Sequence, residues 1–220
     1  MSARYARPRR WRPDARGSIL PLMLVCVVVL VLVGLACVDV AGAYVTRARG
    51  RGVAQVASSE TSAHTLRMKT SDNPVNTLCV MVSDSLASNG FSGQFTLRVY
   101  EPTEAEMDGL GLDPDHDMLI GVSVDFGEAY EPLVKFDLMG FDAFSSDLTI
   151  PIHRAWVIHP FASAGQIYRP NSTGYGGEYA VTCDGSGAVT SITPVARYAS
   201  LFDSAVPEDL RSAILVEAGH

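Results

Sequence analysis

At 220 residues the chain has room for one membrane segment and one modest globular domain. Its 47% hydrophobic content and formal net charge of −7 hide two opposed regions: residues 1–16 hold six arginines against the single acid Asp14, whereas the chain beyond residue 52 carries 22 acidic and 8 basic residues, a net −14. Binding phosphates depends on clustered Lys and Arg, so an outer part this acidic excludes nucleic acid as a partner.

From Ile19 to Val38 no residue is charged, and all but Pro21 and Gly34 are apolar. Twenty residues at roughly 1.5 Å each span about 30 Å, the thickness of a bilayer's hydrocarbon core. A core helix of a soluble protein would keep a polar face, and this segment has none. Pro21 falls in the first turn, where its missing N–H costs little. Six arginines precede the span; Arg47, Arg49 and Arg51 follow it. The positive-inside rule then puts the N-terminus in the cytoplasm and the C-terminal part outside.

Three processing readings compete at this segment. Ala41-Gly42-Ala43 fits the A-x-A site of a secretory signal, with cleavage between Ala43 and Tyr44, but the apolar run exceeds the 7–15 residues such signals use. Gly34-Leu35-Ala36-Cys37 lacks the Leu that a lipoprotein signal has three residues before its cysteine, and Arg9-Arg10 lacks the flanks of a twin-arginine signal. The third reading cuts between Gly17 and Ser18, before the helix, and keeps the helix as an anchor.

The run Arg16-Gly17-Ser18-Ile19-Leu20-Pro21-Leu22, the apolar span, Asp39-Val40-Ala41-Gly42-Ala43-Tyr44 and the small-residue run from Val53 to Ser59 resemble the N-terminus of TadE/TadG-like proteins. These are membrane-anchored, pseudopilin-like components of tight-adherence (Flp) pilus systems. A shorter echo, Val122-Ser123-Val124-Asp125 to Tyr130-Glu131-Pro132-Leu133, looks like the extended stretch of that family's outer domain. The resemblance implies a non-enzymatic role in a pilus or secretion assembly, with other membrane proteins of that machine as partners. It departs from pilin-like subunits at one position. They commonly carry a Glu five residues after the cut, to neutralise a neighbour's α-amine, and here that residue is Leu22. A buried, unpaired amine is costly, which favours an accessory component over a filament subunit. A membrane-tethered or secreted binding module, cut near Ala43, is the alternative.

Beyond Asp39 the helix is expected to continue as a stem to about Met68. Ala41, Gly42, Ala43, Ala48, Ala54, Ala57 and Ala63 permit close helix–helix approach, whereas Gly50 and Gly52 weaken helix and read as a poorly packed linker. Both readings stay open. Asp72-Asn73-Pro74 is a breaker. Residues 75–88 read as a second helix ended by Asn89-Gly90, and residues 95–100 alternate as a half-buried strand. Residues 103–117 are acidic and turn-rich. Residues 119–126 and 148–153 read as strands, the latter extending towards His159. Asp184-Gly185-Ser186-Gly187 marks a hairpin turn, and Pro207-Glu208-Asp209 opens a last helix with Asp203 or Ser204 as caps.

The expected fold class is α+β: an N-terminal transmembrane helix continuing into a helical stem, then a small, mostly antiparallel β-sheet outer domain. The divisions are a basic leader at 1–17, the span at 18–40, the stem at 41–72 and the outer domain at 73–220.

Cys26 and Cys37 lie eleven residues apart on one face of the span and read as small apolar fillers. Cys79 and Cys183 are the two cysteines of the outer part, where oxidising conditions favour a disulfide between them. It would close a loop of about a hundred residues, worth roughly 4–5 kcal/mol in the chain-entropy model. Asp113-Pro114-Asp115-His116-Asp117 begins like a calcium loop but has Met118 where the turn needs Gly and Val124 where Glu should close the site, so it reads as a solvated loop. Asn171-Ser172-Thr173 matches a glycosylation sequon. The sequence holds no G-x-S-x-G, H-E-x-x-H, P-loop or C-x-x-C motif. His153 and His159 share a strand face opposite Trp156, with no acid beside them in sequence. The expectation is no enzyme, no cofactor, no metal and no small-molecule substrate.

Overall fold

The computed structural model describes residues 19–69, 71–113, 119–132, 148–159 and 175–220. The first element is one continuous 45-residue helix, α1 (Ile19–Ala63), about 68 Å long at 1.5 Å per residue. Its first half, residues 19–38, is exposed throughout. In its second half the buried positions are Gly50, Val53, Ala54, Ala57, Ser58 and Thr61. Those positions recur as i, i+3, i+4, i+7, i+8 and i+11, so one narrow stripe faces the rest of the molecule. The helix breaks at His64, and the short α2 (Thr65–Lys69) follows.

Asn73 caps the next helix, α3 (Pro74–Ser88), by accepting a hydrogen bond from the Asn76 N–H at 3.1 Å, with Pro74 in the first turn, where a missing donor does no harm. The helix stops at Asn89, and Gly90 beyond it takes φ +87°, the left-handed geometry that closes many helices.

The remaining elements are β1 (Phe95–Glu101), α4 (Glu104–Gly109), β2 (Ile120–Tyr130), β3 (Leu148–Ile158), β4 (Tyr175–Cys183), β5 (Val189–Arg197) and α5 (Glu208–Glu217). The five strands form one antiparallel sheet in the order β3-β2-β1-β4-β5. Strand alternation divides its side chains between two faces. One face sends Leu97, Val99, Val122, Val124, Phe126, Ile152, Trp156 and Val181 into a core completed by Val53 and Ala54 of α1 and Leu78, Cys79, Val82 and Leu86 of α3. The other face is covered at one end by α5, whose Leu210 and Ile214 join Tyr100, Leu119, Tyr198, Leu201 and Val206 in a second cluster. The two outermost strands, β3 and β5, each carry a proline, Pro151 and Pro194, which blunts them against further pairing.

The α+β class and the order of helix, stem and antiparallel sheet agree with expectation; several boundaries differ. β2 runs four residues past Phe126, because Gly127, Glu128, Ala129 and Tyr130 pair with Pro151, Ile150, Thr149 and Leu148. Within the stretch read as turn-rich, α4 forms on a capping box: Thr103 and Glu106 each bond the other's backbone N–H. The cap of α5 is Pro207, with no side-chain bond. Asp203 instead accepts from the backbone of Ala199 and Ala205 in the preceding turn. The hairpin turn at Asp184 is as read: its Oδ1 accepts from the N–H groups of Ser186 and Ala188 at 2.8 and 3.0 Å.

Candidate functional site

Two places in this fold bring together residues distant in sequence: the seam between the stem and the sheet, and a charged cluster on the opposite face. The seam begins near Asp39. Tyr130, at the end of β2, donates its hydroxyl to the Asp39 backbone carbonyl at 3.0 Å and lies 3.3 Å from its carboxylate. The Tyr130 ring lies over Gly42, where a Cβ would collide with it. Two helical turns on, Gly50 is buried beneath Ile152 of β3, and any side chain there would strike the Ile152 methyl. Ala54 and Ala57 are wholly buried. At the far end, the Trp156 indole N–H donates to the Thr61 hydroxyl at 3.2 Å inside the core. Thr61 in turn donates to the Ala57 carbonyl at 2.8 Å, a local bond that satisfies the hydroxyl on a buried helix face. Arg49 adds an exposed ion pair with Glu128 at 3.7 Å. The small residues of the stem are thus taken up within the chain: β3 runs alongside α1, and its large side chains sit where α1 has small ones.

The second constellation lies on the face away from α1. Arg98 of β1 bridges Glu178 of β4, at 3.0 Å, and Asp125 of β2. Asp125 also meets His153 Nδ1 across the β2–β3 pair, and His153 Nε2 lies 2.6 Å from Asp209 in the first turn of α5. With a carboxylate against each ring nitrogen, the imidazole is satisfied as a double donor only in its protonated form. Partial burial by itself would push the His153 pKa down, but Asp125 and Asp209 outweigh it and hold it above the ordinary value. Burial would likewise raise Asp125, and Arg98 and His153 together hold it below the usual carboxylate range. A second histidine of the same segment, His159, meets Glu217 near the other end of α5 at 2.7 Å. Two histidines, His153 within β3 and His159 just past its end, therefore clasp α5 at both ends, over the Leu210 and Ile214 contacts. Beyond the reach of α5, among the described residues, a shallow groove of about 550 Å³ on the same face is lined by Thr96, Gly127, Thr149, Pro151 and Ala180 beside this cluster. Among the described residues no group of three His, Cys, Asp or Glu side chains is arranged to hold a metal ion.

Of the residues singled out in the sequence, Gly17 and Ser18 lie outside the described residues, as do positions 114–118 of the acidic loop and the sequon at 171–173. Ala43 and Tyr44 are midway along α1, Ala43 half-buried and Tyr44 exposed. The alternative cut between them would separate the domain from Asp39 and Gly42, the two residues Tyr130 rests on. Cys79 and Cys183 are brought to the same core cluster, Cys79 on α3 and Cys183 at the end of β4. In the structure both are free thiols, so the expected disulfide is not confirmed, and Cys183 Sγ lies 3.0 Å from the Ser83 hydroxyl. Burial pushes the Cys79 thiol up to about 12, so it stays protonated. Cys26 and Cys37 are exposed on the apolar half of α1.

The sequence reading identified His153, His159 and Trp156 with their faces, but missed Arg98, Asp125, Glu178 and Asp209 as their partners. Those residues come from three other strands and a helix (β1, β2, β4 and α5), and no local spacing joins them. The stem stripe had a signal, since positions 50, 53, 54, 57, 58 and 61 keep helical period, but its members are too small to stand out by hydropathy.

Comparison with known families finds a match to the model described as "Putative Flp pilus-assembly TadE/G-like" over residues 17–58. No curated protein and no solved structure matches the chain. The matched residues run from the Gly17-Ser18 junction through the apolar half of α1, which is long and apolar enough to cross a membrane, and into the packed stem. They do not include the echo at residues 122–133. Residues 17–58, the anchor and most of the stem, are therefore similar to the TadE/G-like family of Flp pilus assembly, and the chain joins that segment to a five-stranded sheet domain.

Proposed function

We propose that the chain is a non-enzymatic, membrane-anchored, pseudopilin-like accessory component of a Flp/Tad-type pilus or secretion assembly, with its N-terminus cytoplasmic and its sheet domain outside. The observation that carries this is the extent of the family match, which begins at the candidate processing junction and covers the anchor and the stem as far as residue 58. The excess of arginines before the span supports the orientation. The charged cluster supports a structural role: both nitrogens of His153 are engaged by carboxylates, leaving neither to exchange a proton with a substrate. Because Ala54 and Ala57 are buried within the chain, the face of the stem offered to partner helices is the other one, with Val45 and Val56 exposed.

The test is the N-terminal residue and intact mass of the protein isolated from its native host. A chain beginning at Ser18 is the expected result. One beginning at Tyr44 would overturn the anchored reading and leave a secreted binding module, and an uncut chain would retain the anchor but remove the pilin-like processing. For the partner face, Val56→Glu should reduce co-purification of the assembly's other membrane proteins without altering unfolding of the sheet domain. Unchanged recovery would exclude Val56 from the interface.

A further inference from the structure

The contacts along the seam fix how far the sheet domain stands from the apolar half of α1. Asp39 is the first charged residue after the span, which places it at the edge of the hydrocarbon layer. The phenol of Tyr130 is hydrogen-bonded to that residue's carbonyl, so the end of β2 reaches the same level. β3 gives a second measure. Ile152 lies over Gly50 and Trp156 over Thr61, so strand and helix run side by side in the same direction. From Gly50 back to Asp39 is about 16 Å of helix. From Ile152 back to Leu148 is about 13 Å of strand. Leu148, the register partner of Tyr130, therefore lies within about 4 Å of the level of Asp39. The headgroup layer on each side of a bilayer is roughly 5–8 Å thick, and Leu148 falls inside it.

We propose that the β2–β3 end of the sheet domain is a lipid-contacting surface, seated in the headgroup layer of the bilayer that α1 crosses, with Tyr130 and Leu148 as its contact residues. The inference rests on the reading of residues 19–38 as the membrane span. The chemistry of this end suits a lipid interface. Val40 and Tyr44 on α1 are 71% and 73% exposed, and Leu148 is 39% exposed. Tyrosine is favoured at this depth because its ring is apolar and its hydroxyl is polar. Tyr130 directs its hydroxyl to the Asp39 carbonyl and rests one face of its ring on Gly42, so the half-buried ring sits at this level with its remaining surface outward. The net −14 of residues 53–220 opposes approach to an anionic surface. At physiological salt that repulsion is screened over about 8 Å, so charge more distant from the bilayer contributes little. Seating of this kind would hold the domain upright on its stem and fix which face of α1 is turned to neighbouring membrane proteins.

The experiment uses the full-length chain reconstituted in phosphatidylethanolamine–phosphatidylglycerol vesicles. The photo-crosslinking residue p-benzoylphenylalanine is placed in turn at position 148, at 149 as a second probe of the same strand end, at 30 within the span, and at 202. Phe202 is 64% exposed and follows Leu201 in the cluster at the opposite end of the sheet. After irradiation, the expected result is a mass increase of one phospholipid at 30 and at 148 or 149, and none at 202. Lipid adducts at 30 alone would overturn the proposal while leaving the span intact. Adducts at none of the four positions would overturn the membrane reading beneath it. Equal adducts at 148 and 202, or protein rather than lipid attached at 148 and 149, would also overturn it.

Discussion

The two halves of α1 are one unbroken helix, yet they are solved by different physics. Residues 19–38 are apolar on every side and exposed throughout. Helix is imposed there by the requirement that a backbone in lipid satisfy its own hydrogen bonds. Residues 39–63 are polar on most of their surface and hold their position through a stripe of small residues against β3, β2 and α3. A substitution in the first half is felt by the membrane, and one in the second is felt by the fold. Size matters little in the first half and charge a great deal; along the stripe, single methyl groups decide.

The largest expected effect is at the far end of the seam. Trp156→Ala removes the biggest side chain packed between sheet and stem and leaves the Thr61 hydroxyl without its indole donor. It should destabilise the outer domain by about 3–5 kcal/mol, measured by denaturant unfolding in detergent, while membrane extraction is unchanged. Val29→Arg, in the first half, should do the reverse. It raises the cost of insertion by about 2.5–3.5 kcal/mol, measured as a larger alkali-extractable fraction, and leaves domain unfolding where it was. A matching loss of domain stability would break the division between the halves.

Gly50→Leu should cost about 1–3 kcal/mol of domain stability, because Ile152 occupies the space a side chain would need. Gly52→Leu, two residues along on the open side, should change it by less than about 0.5 kcal/mol. Equal effects at 50 and 52 would mean that the stem does not dock through this stripe.

The smallest effect concerns the clasp on α5. The folded pKa of His153 is raised, so its contribution is complete below the unfolded value near 6.5 and is lost as pH rises through the folded value. Asp125 is depressed, so its contribution is present above its unfolded value near 3.8 and is lost as pH falls through the folded one. Domain stability should therefore decline as pH rises from about 6.5 through the folded value of His153, by roughly 0.2–1 kcal/mol for pairs this exposed. His153→Gln should flatten that decline in urea titrations, and an unchanged pH profile would remove His153 from the clasp.

Legibility in the sequence followed the range of the interactions. The capping box at Thr103 and Glu106 was legible, being three residues wide, though the acidic stretch around it obscured the short helix. The Asp184 turn is equally local and is read directly, whereas Asn73, read only as part of a breaker, proves to be the cap of α3. The bridge from Asp125 through His153 to Asp209 spans 28 and 56 residues, and nothing in the spacing of those three announces it. The cysteine pair shows the limit of a compartment argument. Cys79 and Cys183 do converge, but convergence leaves open whether they bond, and in the structure they remain thiols.

What the sequence determined by itself is the apolar half of α1, the pattern of alternating strands and the resemblance of the N-terminal segment. All three rest on composition or on a period of two to four residues, which the chain displays before it folds. Which helix face docks, what the small stem residues approach, and how near the β2–β3 end lies to Asp39 were decided only in three dimensions. Those outcomes depend on complementary shape between surfaces far apart in the chain, Gly50 against Ile152 and Gly42 against Tyr130. A small residue in a sequence does not say what large one will fill the space beside it.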